Sequence, residues 1–240
     1  MKQNPRRLIL LLTVGSLAVL ILLNLDPVST RAHRLVILCS LAGVCFGPLL
    51  LFWKYKAARI VFLAMPLLML SPFLLPGKAI GRNSLRDDYL ARMVACEGAV
   101  YHWGGESRRG IDCSGLPRKA LRDALLYQGL SNLNGRCTRL FLKHWWNDAS
   151  AKALAEGYLG YAEPTGEKGT IATMDYDPLQ PGDLAVTEDR RHVLIFLGGG
   201  KWIQADPGIE GVVIENGRTG KSGWFAVPVT THRWSVLAEP

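Results

Sequence analysis

The chain has 240 residues and a formal net charge of +8, and 49% of its residues are hydrophobic. The positive charge is concentrated in residues 1–78, which contain nine basic residues and a single acidic one, Asp26, so the rest of the chain is neutral overall. A neutral domain lacks the basic surface that neutralises phosphates, and nucleic acid is therefore not an expected partner.

Three apolar stretches in residues 1–78 are predicted to form transmembrane helices, at about 8–25, 35–53 and 58–76. The first two contain no charged residue and are long enough as helices to cross ~30 Å of hydrocarbon. The third is shorter and can span with slight thinning of the bilayer. A cleaved signal peptide ahead of a buried core is the alternative, but the first stretch is long and no small-residue cleavage site follows it. We therefore expect a retained, all-α membrane region.

Basic residues flank the predicted spans unequally. One face of the membrane would carry Lys2, Arg6, Arg7, Lys54, Lys56 and Arg59, and the other Arg31, Arg34, Lys78 and Arg82. Loops on the cytoplasmic side of a membrane are enriched in lysine and arginine, so the first group is expected to be cytoplasmic. Three crossings then place residues 79–240 on the periplasmic or extracellular side of the cell (inner) membrane.

The residues that follow the membrane region first show helical periodicity. After a short linker, the spacing of apolar residues predicts a helix over about 85–96. Ser84 is the predicted N-cap of this helix, and Asp87, three residues later, completes a capping-box-like pair.

Two further helices are predicted before the pattern changes. One begins at Ser114 and has Pro117 in its first turn, where a missing N–H costs little. The other covers roughly 137–156. Residues 157–178 are punctuated by glycine and proline, and we predict that they form a long, exposed insertion.

Beyond residue 181 the sequence consists of short apolar runs that are typical of strands. Strands are predicted at 184–186, 192–197, 202–206, 212–215, 224–227 and 234–237. Short glycine-rich connections such as 198–200 indicate an antiparallel meander. Helices followed by strands predict an α+β domain at 79–240, in which N-terminal helices pack on one antiparallel sheet.

The five cysteines do not suggest a disulfide framework. Cys39 and Cys45 fall inside the second predicted span, where they would pack as small apolar residues. Cys96 and Cys137 could pair in an exported domain, a question that the sequence leaves open. Cys113 differs from these four because it lies in the run GIDCSGL, with YHWGG shortly before it.

Cys113 lies where a loop enters a predicted helix, and His192 opens the predicted strand HVLIFL. The pKa of a thiol falls at a helix N-terminus or beside a histidine, and the unpaired N–H groups of the first turn can stabilise a thiolate or an oxyanion. His192 can act as general base and then as general acid. A third polar group must hold the imidazole. Gln204 on the next strand is preferred for this role, and Asp206 on the same strand face is the alternative.

Other interpretations of these residues are weaker. A lone cysteine is most often an inert buried thiol, but the Asp, Ser and Gly around Cys113 favour catalysis. A zinc site is not expected, because no CxxC or HxxxH spacing accompanies Cys113 and His192. His102, His144 and His232 are predicted to be structural or solvated.

Three motifs occur in order along the chain: YHWGG…GIDCSGL, PGDLAV and HVLIFLGGGKWIQA. Over roughly residues 85–229 they resemble the NlpC family of papain-like cysteine peptidases, which act on the bacterial cell wall. The resemblance implies a papain-like NlpC fold with Cys113 as the nucleophile, His192 as the base and Gln204 as the residue that orients the imidazole. It implies no metal and no organic cofactor.

The same resemblance implies three substrate-binding residues. Tyr101 matches the family tyrosine that flanks the nucleophile, and Asp112 and Ser114 match residues that help to bind the free amine of a peptide stem. The chain also departs from the family pattern. Gln204 stands where the family often has histidine, Leu194 replaces a common glycine, and the segment between the cysteine and the histidine is longer than expected.

The predicted function is a membrane-anchored cysteine hydrolase that cleaves peptide bonds in peptidoglycan stem peptides, as the resemblance implies. Members of the family often cleave between D-glutamate and a diamino acid. Two alternatives remain, namely a thiol amidase or acyltransferase with a different substrate on the same scaffold, and a non-catalytic wall-binding module. The expected partners are the stem peptide and, through the three predicted spans, the lipid bilayer.

Overall fold

The computed structural model describes residues 4–238, and its first three elements are the long apolar helices α1 (Pro5–Leu25), α2 (Arg31–Leu51) and α3 (Lys56–Leu74). Each of them is long and apolar enough to cross a membrane. They cover the three stretches that the sequence predicts and differ from them by a few residues at the ends. That they cross a bilayer stays a prediction, as does the division of the chain at residue 78.

Small residues allow α1 and α2 to pack closely as a hairpin. A Cβ atom at Gly43 would collide with Ser16, and one at Gly47 would collide with Thr13. Such close approach between helices is typical of membrane bundles, in which small residues replace the apolar packing of soluble proteins. The Thr30 hydroxyl accepts a hydrogen bond from a first-turn N–H of α2, which sets the start of the second helix.

The loop between α1 and α2, residues 26–30, lies on the domain that follows. Backbone hydrogen bonds and a β-bridge join it to the segment before Cys113, linking Ser29 to Gly104, Val28 to Gly105 and Pro27 to Glu106. The first 78 residues and the domain are therefore in direct contact at this loop.

Arg34, in the first turn of α2, is completely buried at this junction. Its guanidinium lies 3.3 Å from the Glu106 carboxylate and 2.6 Å from that of Asp148. Glu106 also contacts Arg118 at 2.9 Å and Arg122 at 2.6 Å. Burial alone would raise the pKa of Glu106, but the surrounding arginines bring it below its ordinary value. The carboxylate is therefore charged in the folded protein.

Four helices follow: α4 (Arg82–Val94), α5 (Gly115–Ser131), α6 (Gly135–Trp146) and α7 (Ala151–Ala155). The predicted helix at Ser114 is confirmed, with Pro117 in its first turn. The predicted cap of α4 is wrong. The helix begins at Arg82 after Gly81, and the Ser84 hydroxyl instead accepts a hydrogen bond from Gln128 on α5 at 2.7 Å. A tertiary contact uses the group that the local pattern assigned to the cap.

The predicted helix over 137–156 is divided into α6 and α7. The break falls at the run Asn-Asp-Ala-Ser, residues 147–150, where the Ser150 hydroxyl caps α7 by accepting from the Ala153 N–H at 3.2 Å. Asn, Asp and Ser side chains compete with the helical hydrogen bonds of the backbone and favour helix ends. The break also directs Asp148 towards Arg34.

Eight strands follow among the described residues of the domain. They are β1 (Glu106–Ser107), β2 (Gly110–Ile111), β3 (Ala162–Thr170), β4 (Leu184–Thr187), β5 (Val193–Gly198), β6 (Lys201–Asp206), β7 (Gly211–Asn216) and β8 (Pro228–Trp234). β1 and β2 form a small hairpin, and the others form one antiparallel sheet in the order β3-β8-β4-β5-β6-β7. The predicted α+β class, with helices packed on one antiparallel sheet, is confirmed.

Alternate residues of the central strands fall in two cores, which explains why these strands are continuously apolar. Leu184 and Ile195 pack with the helices, whereas Ala185, Leu194 and Phe196 pack in a second cluster on the other face. The leucine that replaces a common family glycine therefore fills the core opposite the helices.

Three predictions in the C-terminal half are wrong. Residues 157–178 contain the edge strand β3, whose polar, glycine-rich sequence has no regular alternation and whose register shifts between Pro164 and Lys168. Residues 223–226 form a 3₁₀ helix rather than a strand, with Phe225 buried in the second core. β8 begins at Pro228 and ends at Trp234, so the predicted strand at 234–237 is wrong for residues 235–237. Residues 239–240 of the predicted domain lie outside the described part of the chain.

Among residues 4–238 the five cysteines are all free. Cys96 and Cys137 are both buried in the core that contains the helices, and they do not pair. The possibility of a disulfide between them, which the sequence left open, is not realised in this structure.

His144 gives the domain a sensitivity to acid. Its ring stacks on Tyr161 at 4.1 Å and meets the edge of Trp234 at 5.7 Å, and burial lowers its pKa to about 3. A histidine whose pKa is lower in the folded than in the unfolded chain stabilises the fold above about pH 6.5, and this stability is lost as the pH falls. We expect His144→Phe to reduce the loss of stability between pH 7 and pH 5 by about 1 to 2 kcal/mol.

The measurement is thermal denaturation of the detergent-solubilised chain at both pH values. Burial also lowers the pKa values of His192 and His232, so the variant should retain part of the acid sensitivity. An equal loss of stability in the variant and in the parent protein would contradict the assignment to His144.

Candidate active site

Cys113 lies at the point where a loop enters α5, and Asp112 holds that loop in place. One oxygen of the Asp112 carboxylate accepts hydrogen bonds from the Gly115 N–H at 2.5 Å and the Ser114 hydroxyl at 3.1 Å. The other accepts from the Gly104 N–H at 2.8 Å. A Cβ atom at position 115 would collide with the carbonyl of Gly105, so glycine is needed there. The Gly115 and Leu116 N–H groups are thus both bonded to Asp112, and the backbone hydrogen bonds that reach the sulfur come from Ser114 and Val193.

His192 precedes β5 and is almost fully buried. Its Nε2 lies 2.7 Å from Oε1 of Gln204 on β6, and its ring stacks on Trp224 at a centroid distance of 4.1 Å. Because the amide oxygen of Gln204 is an acceptor, Nε2 carries the proton and Nδ1 of the neutral ring is left as the basic nitrogen.

A chain of hydrogen bonds extends behind Gln204. Its amide nitrogen donates to the Ser222 hydroxyl at 2.8 Å, and that hydroxyl donates to the Asp206 carboxylate at 3.1 Å. Asp206 also accepts from the Trp224 indole N–H at 3.3 Å. Gln204 is thus the residue in contact with the imidazole, and Asp206, the alternative from the sequence, lies two hydrogen bonds beyond Gln204, behind Ser222.

Cys113 and His192 line one cavity of about 660 Å³, which we call the groove. The thiol donates to the backbone carbonyl of Arg191, next to the histidine, at 3.7 Å. Tyr101, Asp112 and Ser114 line the same groove, so every site residue predicted from the sequence borders it except Gln204, which lies behind the imidazole.

The protonation states differ from the expectation of a thiolate in the resting protein. Burial, and then the Asp112 carboxylate, raise the pKa of Cys113 to about 12, although backbone hydrogen bonds act in the opposite direction. Burial lowers the pKa of His192, although its hydrogen bond to Gln204 opposes this shift. At neutral pH the groove therefore holds a neutral thiol beside a neutral imidazole, which is free to accept a proton.

Tyr101 is also protonated at neutral pH. Burial, with the nearby Cys113, Asp112 and Asp206, raises the pKa of its phenol to about 12. The hydroxyl can therefore donate a hydrogen bond to a group in the groove.

The thiol pKa predicts slow alkylation of Cys113 at neutral pH. The rate with iodoacetamide should rise about tenfold for each pH unit from pH 7 to about pH 10, because the thiolate fraction rises by that factor below the pKa. The measurement is mass spectrometry of the peptide that contains Cys113. A rate that is already constant above pH 7 would instead indicate a thiolate in the resting protein.

Several groove residues were not predicted from the sequence. Trp224 was expected on a strand, and its stacking on His192 depends on the 3₁₀ helix that follows Ser222. Ser29 and Thr30 of the α1–α2 loop also line the groove, although they lie more than 80 residues before Cys113 in the chain. No local pattern indicates such distant contributions.

A sequence model described as the NlpC/P60 family matches residues 98–227. Three solved structures are similar to the chain. The peptidoglycan hydrolase RipB from Mycobacterium tuberculosis is 19% identical with a TM-score of 0.36, and the match covers 62% of this chain and 65% of RipB. A P60 domain of an antigen from M. avium subspecies paratuberculosis is 18% identical with a TM-score of 0.39, and the match covers 67% of this chain and 100% of that domain. The NlpC/p60 domain of the peptidoglycan hydrolase SagA is 23% identical with a TM-score of 0.35, and the match covers 60% of this chain and 96% of that domain. A search of curated proteins finds no match. The family match includes more than half of the chain and contains Cys113, His192 and Gln204. The chain belongs to the NlpC/P60 family.

Proposed function

We propose that this protein is a membrane-anchored cysteine hydrolase that cleaves peptide bonds in peptidoglycan stem peptides. The observation that carries the proposal is the shared groove, which is lined by the Cys113 thiol at the start of α5 and by a neutral His192 held by Gln204. Membership of the NlpC/P60 family, and the description of RipB and SagA as peptidoglycan hydrolases, support the substrate class.

In the proposed reaction, Nδ1 of His192 accepts the thiol proton as the sulfur of Cys113 attacks the peptide carbonyl. The backbone N–H of Ser114, where the loop enters α5, stabilises the oxyanion of the tetrahedral intermediate. The imidazolium then donates its proton to the leaving amine, and an acyl-enzyme remains on the sulfur. His192 next removes a proton from water, which attacks the thioester and releases the carboxylic acid and the free thiol. Gln204 accepts a hydrogen bond from Nε2 in both the neutral ring and the imidazolium, and so holds the ring in one orientation.

We assign substrate binding to three groove residues. The Asp112 carboxylate already accepts three hydrogen bonds from the protein, but its negative charge can still attract the free amine of a stem peptide. Ser114 lies beside it, and the protonated phenol of Tyr101 supplies a donor on the same wall of the groove.

We also propose that α1, α2 and α3 anchor the domain in the cell membrane, with residues 79–240 on the periplasmic or extracellular side. The α1–α2 loop contacts the domain, so both belong on one side of the candidate spans. Lys54, Lys56 and Arg59 lie near the opposite ends of α2 and α3, as expected for a cytoplasmic loop. Lys2, which contributed to the predicted orientation, lies outside the described residues.

The test is incubation of the purified full-length protein with defined muropeptides, followed by mass spectrometry of the products. We expect two fragments whose combined mass exceeds that of the substrate by one water, from cleavage within the peptide. Release of the sugar from an intact peptide would indicate an amidase, and products that gain an acyl group would indicate a transferase. Absence of any reaction would favour a wall-binding module.

A further inference from the structure

One wall of the groove comes from the loop that joins two candidate membrane spans. Ser29 and Thr30 line the same cavity as Cys113. The backbone of this loop is joined to the segment at Gly104 and Gly105, and the Gly104 N–H is in turn held by Asp112. Since residues 26–30 connect the apolar helices α1 and α2, they lie where those helices would leave the bilayer.

Helix α6 connects the ends of two candidate spans, α3 and α2. At its start, the Thr138 hydroxyl donates to the Pro72 carbonyl at 2.8 Å, and Arg139 donates to the Phe73 carbonyl at 3.0 Å, both at the end of α3. At its other end, the Trp146 carbonyl accepts from Arg34 in the first turn of α2 at 3.3 Å. A helix of this length extends about 18 Å, so α6 lies across the ends of two spans.

The surface of α6 has the composition of a helix that lies at a membrane interface. Its exposed residues are basic, aromatic or aliphatic, namely Arg136, Arg139, Leu142, Lys143 and Trp146. Lysine and arginine with tryptophan and leucine are typical of amphipathic helices at the boundary between headgroups and acyl chains. Trp103, which is 79% exposed and borders the groove, adds a second aromatic side chain beside the α1–α2 loop.

The connection between α3 and α4 does not let the domain extend away from the bilayer. Residues 75–81 could span about 25 Å if fully extended. Instead, the Pro76 carbonyl accepts from the Gly135 N–H at 3.0 Å, and the Lys78 N–H donates to the Asn134 side chain at 2.9 Å. With the buried contacts of Arg34, these bonds hold the domain against the ends of the spans.

We propose that the groove works at the bilayer surface and takes a stem peptide that is attached to a membrane lipid. The inference rests on the proposed peptidase function and adds the substrate class. A groove with one wall at the point where spans leave the bilayer cannot reach a polymer that does not touch the membrane. A peptide attached to a lipid presents its scissile bond close to the bilayer surface, where this wall of the groove lies.

The first test uses the full chain in nanodiscs of phosphatidylethanolamine and phosphatidylglycerol. Three substrates carry the same stem peptide, and the first of them is soluble. The second is attached to a lipid through a short spacer of about three residues, which is about 10 Å long. The third is attached through a long spacer of about 100 Gly/Ser residues, whose mean end-to-end distance is about 50–60 Å. Both anchored peptides are present at the same surface density, so a difference between them reports the height of the groove and not the local concentration.

We expect kcat/KM for the short-spacer substrate to equal or exceed that for the long-spacer substrate, and both to exceed the soluble peptide by about tenfold or more. A short-spacer substrate that is cleaved more slowly than the long-spacer one, or no faster than the soluble peptide, would overturn this inference and leave the peptidase function intact. No cleavage in any of the three cases would overturn both.

The second test measures contact with lipid and does not depend on activity. The photoreactive residue p-benzoylphenylalanine is placed at Leu142 of α6 or, as the matched control, at Lys201, which is also exposed. Lys201 follows the far end of β5, whose six residues extend about 20 Å from His192. Irradiation in nanodiscs should give a protein–lipid adduct at position 142 and not at 201. Equal adducts at both positions, or none at 142, would contradict the interfacial position of α6.

Discussion

Replacement of Cys113 by alanine is expected to lower kcat for stem-peptide hydrolysis by about 10⁴-fold or more, because it removes the thiol that attacks the peptide carbonyl in the proposed reaction. His192→Ala should cause a loss of similar size, because the thiol, with a pKa of about 12, then has no base to accept its proton. The double variant should be little worse than either single variant, since the two residues act as a unit.

The matched control is Cys96→Ala, which removes a second buried thiol outside the groove. It should leave kcat within about twofold, and both cysteine variants should retain the melting temperature within a few degrees, as is usual for a small volume change. Hydrolysis by Cys113→Ala at the rate of the parent protein would show that the nucleophile is another group.

Glu106→Gln is expected to destabilise the fold by about 3–5 kcal/mol, because it leaves Arg34, Arg118 and Arg122 in a buried site without their shared carboxylate. Asp148, which is partly exposed, is the acid that remains beside Arg34 and Arg118. Removal of one member of a buried ion cluster is costly since the other charges stay away from water without compensation. The measurement is thermal and urea denaturation of the full chain in detergent.

Asp123→Asn provides the control for this prediction. It breaks the Lys119–Asp123 pair on the same helix as Arg118 and Arg122, but that pair is partly exposed and should contribute less than about 1 kcal/mol. Arg34→Leu combined with Glu106→Gln should be less destabilised than the sum of the single variants, because one unpaired charge is removed with its partner. A loss below about 1 kcal/mol for Glu106→Gln would mean that the cluster does not hold the junction together.

The position of the ion cluster links stability to the groove. Glu106 belongs to β1 and its backbone N–H donates to Pro27 in the α1–α2 loop, while Arg34 starts the helix that follows this loop. Loss of the cluster therefore loosens the loop that supplies Ser29 and Thr30 to the groove wall. Residues between two candidate membrane spans thus line the groove together with Cys113.

Local patterns were sufficient for much of the molecule. Long apolar stretches identified α1, α2 and α3, and helices before strands identified the α+β class. The motif around Cys113 and the apolar run after His192 identified residues that share one groove, because turn chemistry and strand order are encoded within a few residues. Gln204, preferred over Asp206 from the sequence, contacts the imidazole, and its role in catalysis stays a prediction.

Tertiary structure alone decided the features that depend on distant partners. Arg34 was counted from the sequence as a flanking charge, yet it is buried against Glu106, 72 residues away, and Asp148, 114 residues away. Ser84 was taken for a cap but binds Gln128, and β3 exists because β8 pairs with it. The thiol of Cys113 is neutral rather than ionised because its pKa depends on burial and on the Asp112 carboxylate, and burial is a property of the whole fold.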